Sequence, residues 1–91
     1  MYRCFVEYKV VEEARAAYLA DLRLAMQHYP NVYIYEGTDQ PGLFVEVWAA
    51  PTKEEADRAR EERLAAHSPW AAVSRHAAGN VHAWVFRPLE G

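Results

Sequence analysis

Residues 32–49 of the chain, VYIYEGTDQPGLFVEVWA, decide the fold. Two runs rich in β-branched and aromatic residues, Val32–Glu36 and 43–49, flank a six-residue segment that contains two glycines, a proline and an aspartate. Strand-forming residues on both sides of such a segment are typical of a β-hairpin. The sequence therefore predicts two adjacent antiparallel strands in the middle of the chain.

Helices are predicted on both sides of this hairpin. Apolar residues recur every three or four positions over residues 12–29, which is the spacing of one face of an amphipathic helix. A second helix is expected over residues 52–66, because Thr52 can cap it and Glu55 follows three positions later. A short third helix is expected between residues 68 and 79, where a serine and a proline begin it and a glycine ends it.

Two further strands are predicted near the ends of the chain, at Tyr2–Lys9 and 81–87. The order is then β-α-β-β-α-(short α)-β, an α+β arrangement of the ferredoxin-like kind. Right-handed crossovers place both long helices on one face of a four-stranded antiparallel sheet with strand order 4-1-3-2. The whole chain, residues 1–91, is expected to form one domain.

Alternate residues of the four strands fall into two sets that differ in chemistry, and alternate residues of a strand point to opposite faces of a sheet. The aliphatic set, expected beneath the helices, is Cys4, Val6, Val32, Ile34, Leu43, Val45, Val47, Val81, Ala83 and Val85. The aromatic and polar set, expected on the uncovered face, is Arg3, Phe5, Glu7, Tyr33, Tyr35, Phe44, Glu46, Trp48, His82, Trp84 and Phe86. The second set is too aromatic to remain in water. We therefore expect a second copy of the chain to cover it and to enclose a pocket.

Composition excludes several classes of function. Hydrophobic residues make up 52% of the chain and charged residues 25%, as in a globular protein. The net charge of −3 argues against nucleic-acid binding, which needs a basic surface. The single cysteine, Cys4, cannot form an internal disulfide and is expected to be buried. Neither a signal peptide nor a membrane-spanning stretch is recognisable, so no membrane contact and a cytoplasmic location are expected.

The chain resembles the dimeric α/β-barrel superfamily, and in particular the small antibiotic-biosynthesis-monooxygenase-like proteins, over essentially its whole length. The resemblance is carried by residues 44–48 (FVEVW), by the Glu- and Arg-rich helix after them, by residues 67–70 (HSPW) and by the strand 82–86 (HAWVF). It implies a homodimer in which two sheets pack open face to open face and close an eight-stranded barrel. Such barrels include cofactor-free quinol-type monooxygenases, haem-degrading enzymes, isomerases and ligand-sensing modules, so the fold by itself does not select a function.

His82 and Glu46 are the candidate catalytic residues, with Glu7 and Arg3 expected between them on the first strand. His82 could take a proton from an acidic hydroxyl, and the two carboxylates and the guanidinium would orient the imidazole and the ligand. The aromatic members of the same face, Phe5, Tyr33, Tyr35, Phe44, Trp48, Trp84 and Phe86, would line the pocket and stack on a flat ligand. The expected function is binding of a small aromatic molecule, with any chemistry being a monooxygenase-like oxidation that needs no cofactor.

Two alternatives remain open. The polar residues of this face could pair only across the dimer interface, in a non-catalytic dimer whose barrel is filled by its own side chains. Haem-degrading relatives use a histidine near the short helix, where His67 and His76 lie, together with an asparagine on the first strand. The first strand here has no asparagine, which argues against haem. No metal site is expected, because HxH, HExxH and CxxC spacings are absent from the sequence.

Overall fold

A computed structural model describes residues 1–90 of the chain. Its elements follow the predicted order, with small differences at their ends. They are β1 (Tyr2–Lys9), a 3₁₀ turn (Glu12–Ala14), α1 (Arg15–Met26), β2 (Val32–Glu36), β3 (Leu43–Ala50), α2 (Lys53–Leu64), α3 (Trp70–Ser74) and β4 (His82–Phe86).

The strands form an antiparallel sheet in the order β2-β3-β1-β4, and the helices cover one of its faces. This confirms the ferredoxin-like α+β fold and the strand order expected from the sequence. Strand β1 is central and pairs with β3 on one side and β4 on the other. The face without helices therefore lies bare along the whole sheet, and we call it the open face.

Local signals in the sequence account for the ends of several elements. The Thr52 hydroxyl accepts a hydrogen bond from the Glu55 backbone N–H at 3.2 Å, which caps α2. Gly79 has a φ of 98° and precedes β4, a backbone conformation that glycine adopts without strain. Gly42 has a φ of 89° beside the Val10 carbonyl, so a side chain there would be strained and crowded.

The sheet register corrects the faces that the sequence predicted for β3. Trp48 lies opposite Cys4, and Glu46 lies opposite Val6. Directly opposed residues of an antiparallel pair point to the same face, and Cys4 and Val6 point to the helices. Phe44, with Glu46 and Trp48, is therefore buried under the helices and does not lie on the open face. Hydrophobic residues of β3 occupy the open face instead; they are Leu43, Val45 and Val47.

The core lies between the sheet and the helices. Strand β1 contributes Cys4, Val6 and Tyr8, and α1 contributes Tyr18 and Leu22. Trp70 and Val73 of α3 are also fully buried, as are parts of β2 and β3. Burial raises the pKa of the Cys4 thiol to about 11, so the cysteine is the inert buried residue that the sequence predicted.

The open face presents a different set of residues to the surroundings. It consists of Arg3, Phe5, Glu7 and Lys9 of β1, Tyr33 and Tyr35 of β2, Leu43, Val45, Val47 and Ala49 of β3, and His82, Trp84 and Phe86 of β4. None of the helices within residues 1–90 is both long enough and apolar enough to span a bilayer.

Candidate functional site

Large aromatic side chains stand exposed on the open face. Tyr33 and Tyr35 each expose 60% of their surface, Trp84 exposes 46% and Phe86 exposes 52%. These four residues occupy both edge strands, and the aliphatic residues of β3 lie between them. A contiguous apolar patch of this kind marks a surface that binds a ligand or another protein.

The open face also contains a hollow of about 540 Å³. It is lined by Phe5, Glu7, Val45, Trp84 and Phe86, and its side toward the surroundings is open. The rings of Phe5 and Phe86 meet edge to face, with centroids 5.1 Å apart and planes at 81°. The volume falls in the range of about 300–1,000 Å³ that is usual for small-molecule pockets. With a cover, this hollow could enclose a flat aromatic molecule.

One ionisable side chain lines this hollow, and a second lies beside it on the neighbouring strand. Glu7 lines it, and His82 lies directly opposite Glu7 across the β1–β4 pair. The His82 ring stacks on Trp84, with centroids 5.5 Å apart and planes 8° from parallel. Side chains of directly opposed residues approach within about 5.5 Å at Cβ, so the carboxylate and the imidazole can reach a common ligand. Within residues 1–90 the Glu7 carboxylate forms no ion pair.

Glu46, which was predicted to act together with His82, lies on the helix-covered face of the sheet. Its side chain is fully buried and forms a two-pronged ion pair with Arg63 of α2, with Nε–Oε1 at 2.7 Å and Nη2–Oε2 at 2.8 Å. The Tyr8 hydroxyl donates to Oε2 at 2.6 Å, and the Trp48 indole N–H donates to Oε1 at 2.9 Å. The expected catalytic pair of His82 and Glu46 is therefore wrong, because opposite faces of the sheet separate the two side chains.

The hydrogen-bonded side chains around Glu46 form what we call the buried network, which consists of Glu46, Arg63, Tyr8, Trp48, Tyr18 and Ser74. It connects Glu46 to all three helices. The Tyr8 hydroxyl is 2.8 Å from that of Tyr18 on α1, and Arg63 Nη1 donates to the Ser74 hydroxyl of α3 at 2.7 Å. Burial raises the pKa of the Tyr18 phenol to about 12. Burial and the adjacent Glu46 carboxylate raise the pKa of the Tyr8 phenol further still. Both phenols therefore stay protonated, and their contact holds α1 to the sheet.

Aromatic rings surround the charges of this network. The Arg63 guanidinium lies 5.0 Å from the centroid of Trp70 and 5.7 Å from that of Tyr8, within the range of cation–π attraction. Trp70 packs edge to face on Trp48, with centroids 4.9 Å apart. Among residues 1–90, the buried Trp70 indole N–H has no hydrogen-bond partner. These rings pack around the buried charges between the sheet and the helices.

Arg63 was not predicted to be buried, although its position on α2 indicates burial. On α2 the leucine at position 64 is 42% exposed, whereas the neighbouring Arg63 is fully buried. Ala56, Ala59 and Arg63 share one helix face by their three- and four-residue spacing. An arginine in line with two alanines indicates a buried cation that needs a buried carboxylate.

The remaining histidines lie away from the open face and the buried network. His76 Nε2 is 2.7 Å from the Asp21 carboxylate, which joins the end of α3 to α1, and His67 is exposed. The histidine considered for haem is thus engaged with a carboxylate. No group of three His, Cys, Asp or Glu side chains within residues 1–90 is arranged to hold a metal ion.

Comparison with solved structures gives close matches over nearly the full chain. An antibiotic biosynthesis monooxygenase matches with a TM-score of 0.77 and 13% identity, over 98% of this chain and 99% of the other. A Mycobacterium tuberculosis protein matches with a TM-score of 0.74 and 20% identity, over 99% of this chain and 96% of the other. A protein from Nitrosomonas europaea, provisionally named an antibiotic biosynthesis monooxygenase, matches with a TM-score of 0.72 and 23% identity, over 98% and 99% of the two chains.

Comparison of the sequence with family models and with curated proteins finds no match. At these identities, the structural matches establish the shared fold and leave the reaction open. The resemblance to antibiotic-biosynthesis-monooxygenase-like proteins is confirmed at that level. The chain has the architecture of these proteins, and its function has to be inferred from the residues of its own open face.

Proposed function

We propose that the protein is a homodimer that binds a small aromatic molecule between the open faces of two sheets. The observation that carries this proposal is the hollow of about 540 Å³ on an uncovered aromatic face. A second copy would bury the exposed rings of Tyr33, Tyr35, Trp84 and Phe86 and would close the hollow. Burial of this apolar surface would be the main force that favours association.

We further propose that the chemistry of this site is a cofactor-independent, monooxygenase-like oxidation. The resemblance in fold supports this reaction class, and the hollow supplies an aromatic wall, a carboxylate and an adjacent imidazole. In such an oxidation of a dihydroxyaromatic ring, the ring supplies all four electrons. One oxygen atom of O₂ replaces a ring hydrogen, the other leaves as water, and the ring becomes a hydroxyquinone.

The roles of the side chains follow from their positions. His82 would take a proton from a phenolic hydroxyl, because a neutral imidazole is a base near neutral pH. Glu7 would orient the imidazole or the second hydroxyl of the ligand, in place of the role first considered for Glu46. Trp84 would hold the ligand ring by stacking, with Phe5 and Phe86 as the other aromatic walls.

The proposal is tested by solution mass and by oxygen consumption. Sedimentation at micromolar concentration should give the mass of a dimer, and naphthalene-1,4-diol should support O₂ uptake above its uncatalysed rate. The His82→Ala variant should lower this rate by about 100-fold or more, whereas His28→Ala, an exposed histidine outside the open face, should not change it. A monomer at this concentration would overturn the dimer, and unchanged uptake in His82→Ala would reject His82 as the base.

A second candidate function is a non-catalytic dimer whose barrel is filled by its own side chains. The protrusion of Tyr33, Tyr35, Trp84 and Phe86 favours it, because four large rings from each copy could interlock in the space between the sheets. The two candidates differ in their response to truncation. Replacing Trp84 by alanine should weaken binding of 2-naphthol if the ring is a ligand wall. It should create such binding if the ring fills the barrel.

A further inference from the structure

We propose that the second copy docks antiparallel on the open face, so that Arg3 of each copy pairs with Glu7 of the other. The guanidinium would then close the hollow on the side of the carboxylate. This inference rests on the homodimer proposed above, and it adds the register of the interface and a residue that each copy contributes to the other's site.

The need for a partner cation comes from Glu7. It is the one carboxylate among the open-face residues, it is half-buried, and it lines the hollow together with four apolar side chains. A carboxylate that loses its water when this face is covered becomes unfavourable unless a donor pairs with it. Within residues 1–90 neither Glu7 nor Arg3 forms an ion pair. His82, which lies opposite Glu7 on β4, is likewise beyond ion-pair distance from it, so the donor is assigned to the covering copy.

The spacing along β1 allows a symmetric solution. Arg3 and Glu7 share the open face and lie two residues on either side of Phe5. In a two-fold interface, a contact from one residue to another is repeated in reverse. If the two-fold axis passes beside Phe5 and the two β1 strands run antiparallel, Arg3 of each copy lies opposite Glu7 of the other. At about 3.3 Å per residue, each pair lies about 7 Å from the axis.

The chemistry of the hollow favours Arg3 over Lys9, the other cation of the open face. Arg3 is the register partner of Phe86, and a planar guanidinium stacks on aromatic rings and binds a carboxylate with two hydrogen bonds. In the proposed register, Lys9 lies across the axis from residue 1, at the end of the strand. A register that paired Glu7 with Lys9 would instead carry Phe5 past the end of the opposing strand.

The test is a charge exchange measured as the dissociation constant of the dimer. Arg3→Glu and Glu7→Arg should each weaken dimerisation by about 100-fold, because each change removes two symmetric pairs that are worth about tenfold apiece. The double variant Arg3→Glu/Glu7→Arg should return to within about tenfold of the unmodified protein. Lys9→Glu is the matched control, with the same charge change on the same face, and should alter the constant by less than about tenfold.

The outcomes separate the register from the dimer itself. A double variant no tighter than the single variants would overturn the pairing, as would a Lys9→Glu variant as weak as Arg3→Glu. If the unmodified protein is a dimer but is insensitive to both single changes, the register fails and the homodimer stands. If the unmodified protein is a monomer at micromolar concentration, the homodimer fails. Circular dichroism of each variant checks that the fold is retained.

Discussion

The ion pair of Glu46 and Arg63 gives the sharpest prediction about stability, because both side chains are fully buried. Removing one partner of a buried pair leaves an unpaired charge and costs about 3–5 kcal/mol. Glu46→Gln should cost about 3 kcal/mol, at the lower end, because the amide oxygen still accepts hydrogen bonds. Arg63→Met should cost a similar amount, because it leaves the carboxylate with Tyr8 and Trp48 as neutral donors.

The double variant Glu46→Gln/Arg63→Met removes both charges, so it should cost less than the sum of the single changes by about 2 kcal/mol or more. Urea unfolding at one fixed protein concentration measures the four free energies, and the fixed concentration keeps any contribution from dimerisation comparable. Glu61→Gln, an exposed change on α2, is the control and should stay within about 0.5 kcal/mol. Additive single effects, with no recovery in the double variant, would refute the reasoning that the buried charge is the source of the cost.

Further predictions concern Glu36, at the end of β2, and two glycines in the turns next to the strands. Hydrogen bonds from Arg15 and from the Gly42 backbone lower the pKa of Glu36 to about 2. Since its ordinary value is 4.5, Glu36 stabilises the fold above that pH and loses the effect as the pH falls toward 2. Glu36→Gln should therefore lower Tm at pH 7 and differ less from the unmodified protein below pH 4.5; a gap independent of pH would contradict this. Gly42→Ala should lose more than about 1 kcal/mol, because its φ is 89° and its Cβ would lie 2.7 Å from the Val10 carbonyl oxygen. Gly79→Ala has a similar φ but open space around its Cβ, so in thermal melts it should cost less; equal losses would show that crowding is unimportant.

The fold could be predicted from the sequence because its signals are local. The hairpin residues between β2 and β3, the capping threonine of α2 and the change of apolar period along α1 each identify an element from its own residues. Handedness and strand order then follow from general rules of chain topology. Only the ends of elements differ. For example, α3 stops at Ser74, although the chain reaches Gly79 before it turns into β4.

The faces of β3 could not be predicted in the same way, because they depend on a residue far along the chain. Leu43, Val45 and Val47 look like a core face by composition, whereas Glu46 looks like a surface residue. Its burial becomes favourable only when Arg63, seventeen residues later, supplies a buried partner. The pairing of Glu46 with a distant arginine therefore outweighs the local alternation of apolar and polar residues. As a result, three predicted pocket residues lie on the helix side of the sheet; they are Phe44, Glu46 and Trp48.

The open-face residues of β1 and β4 were placed as expected, because the alternation along those two strands agrees with their register in the sheet. Phe5, Glu7, Trp84 and Phe86 line one hollow, as alternation along the two strands predicts. What alternation alone could not supply is the pairing of His82 with Glu7, since this requires the register of two strands that are distant in sequence. The residues of β1 and β4 that line the candidate site could thus be predicted from the sequence, whereas their pairing across the two strands could not.

The buried network also bears on how such a protein can diverge. Each residue of the open face has neighbours along its strand that point the other way, into a core tied together by Glu46 and Arg63. Replacement of Glu46 or Arg63 alone leaves a buried charge without its partner, whereas replacement of an apolar residue of the open face does not. A lineage built on this sheet could exchange one ligand for another without passing through an unfolded intermediate. Its members would then keep their architecture long after their sequences had ceased to resemble one another.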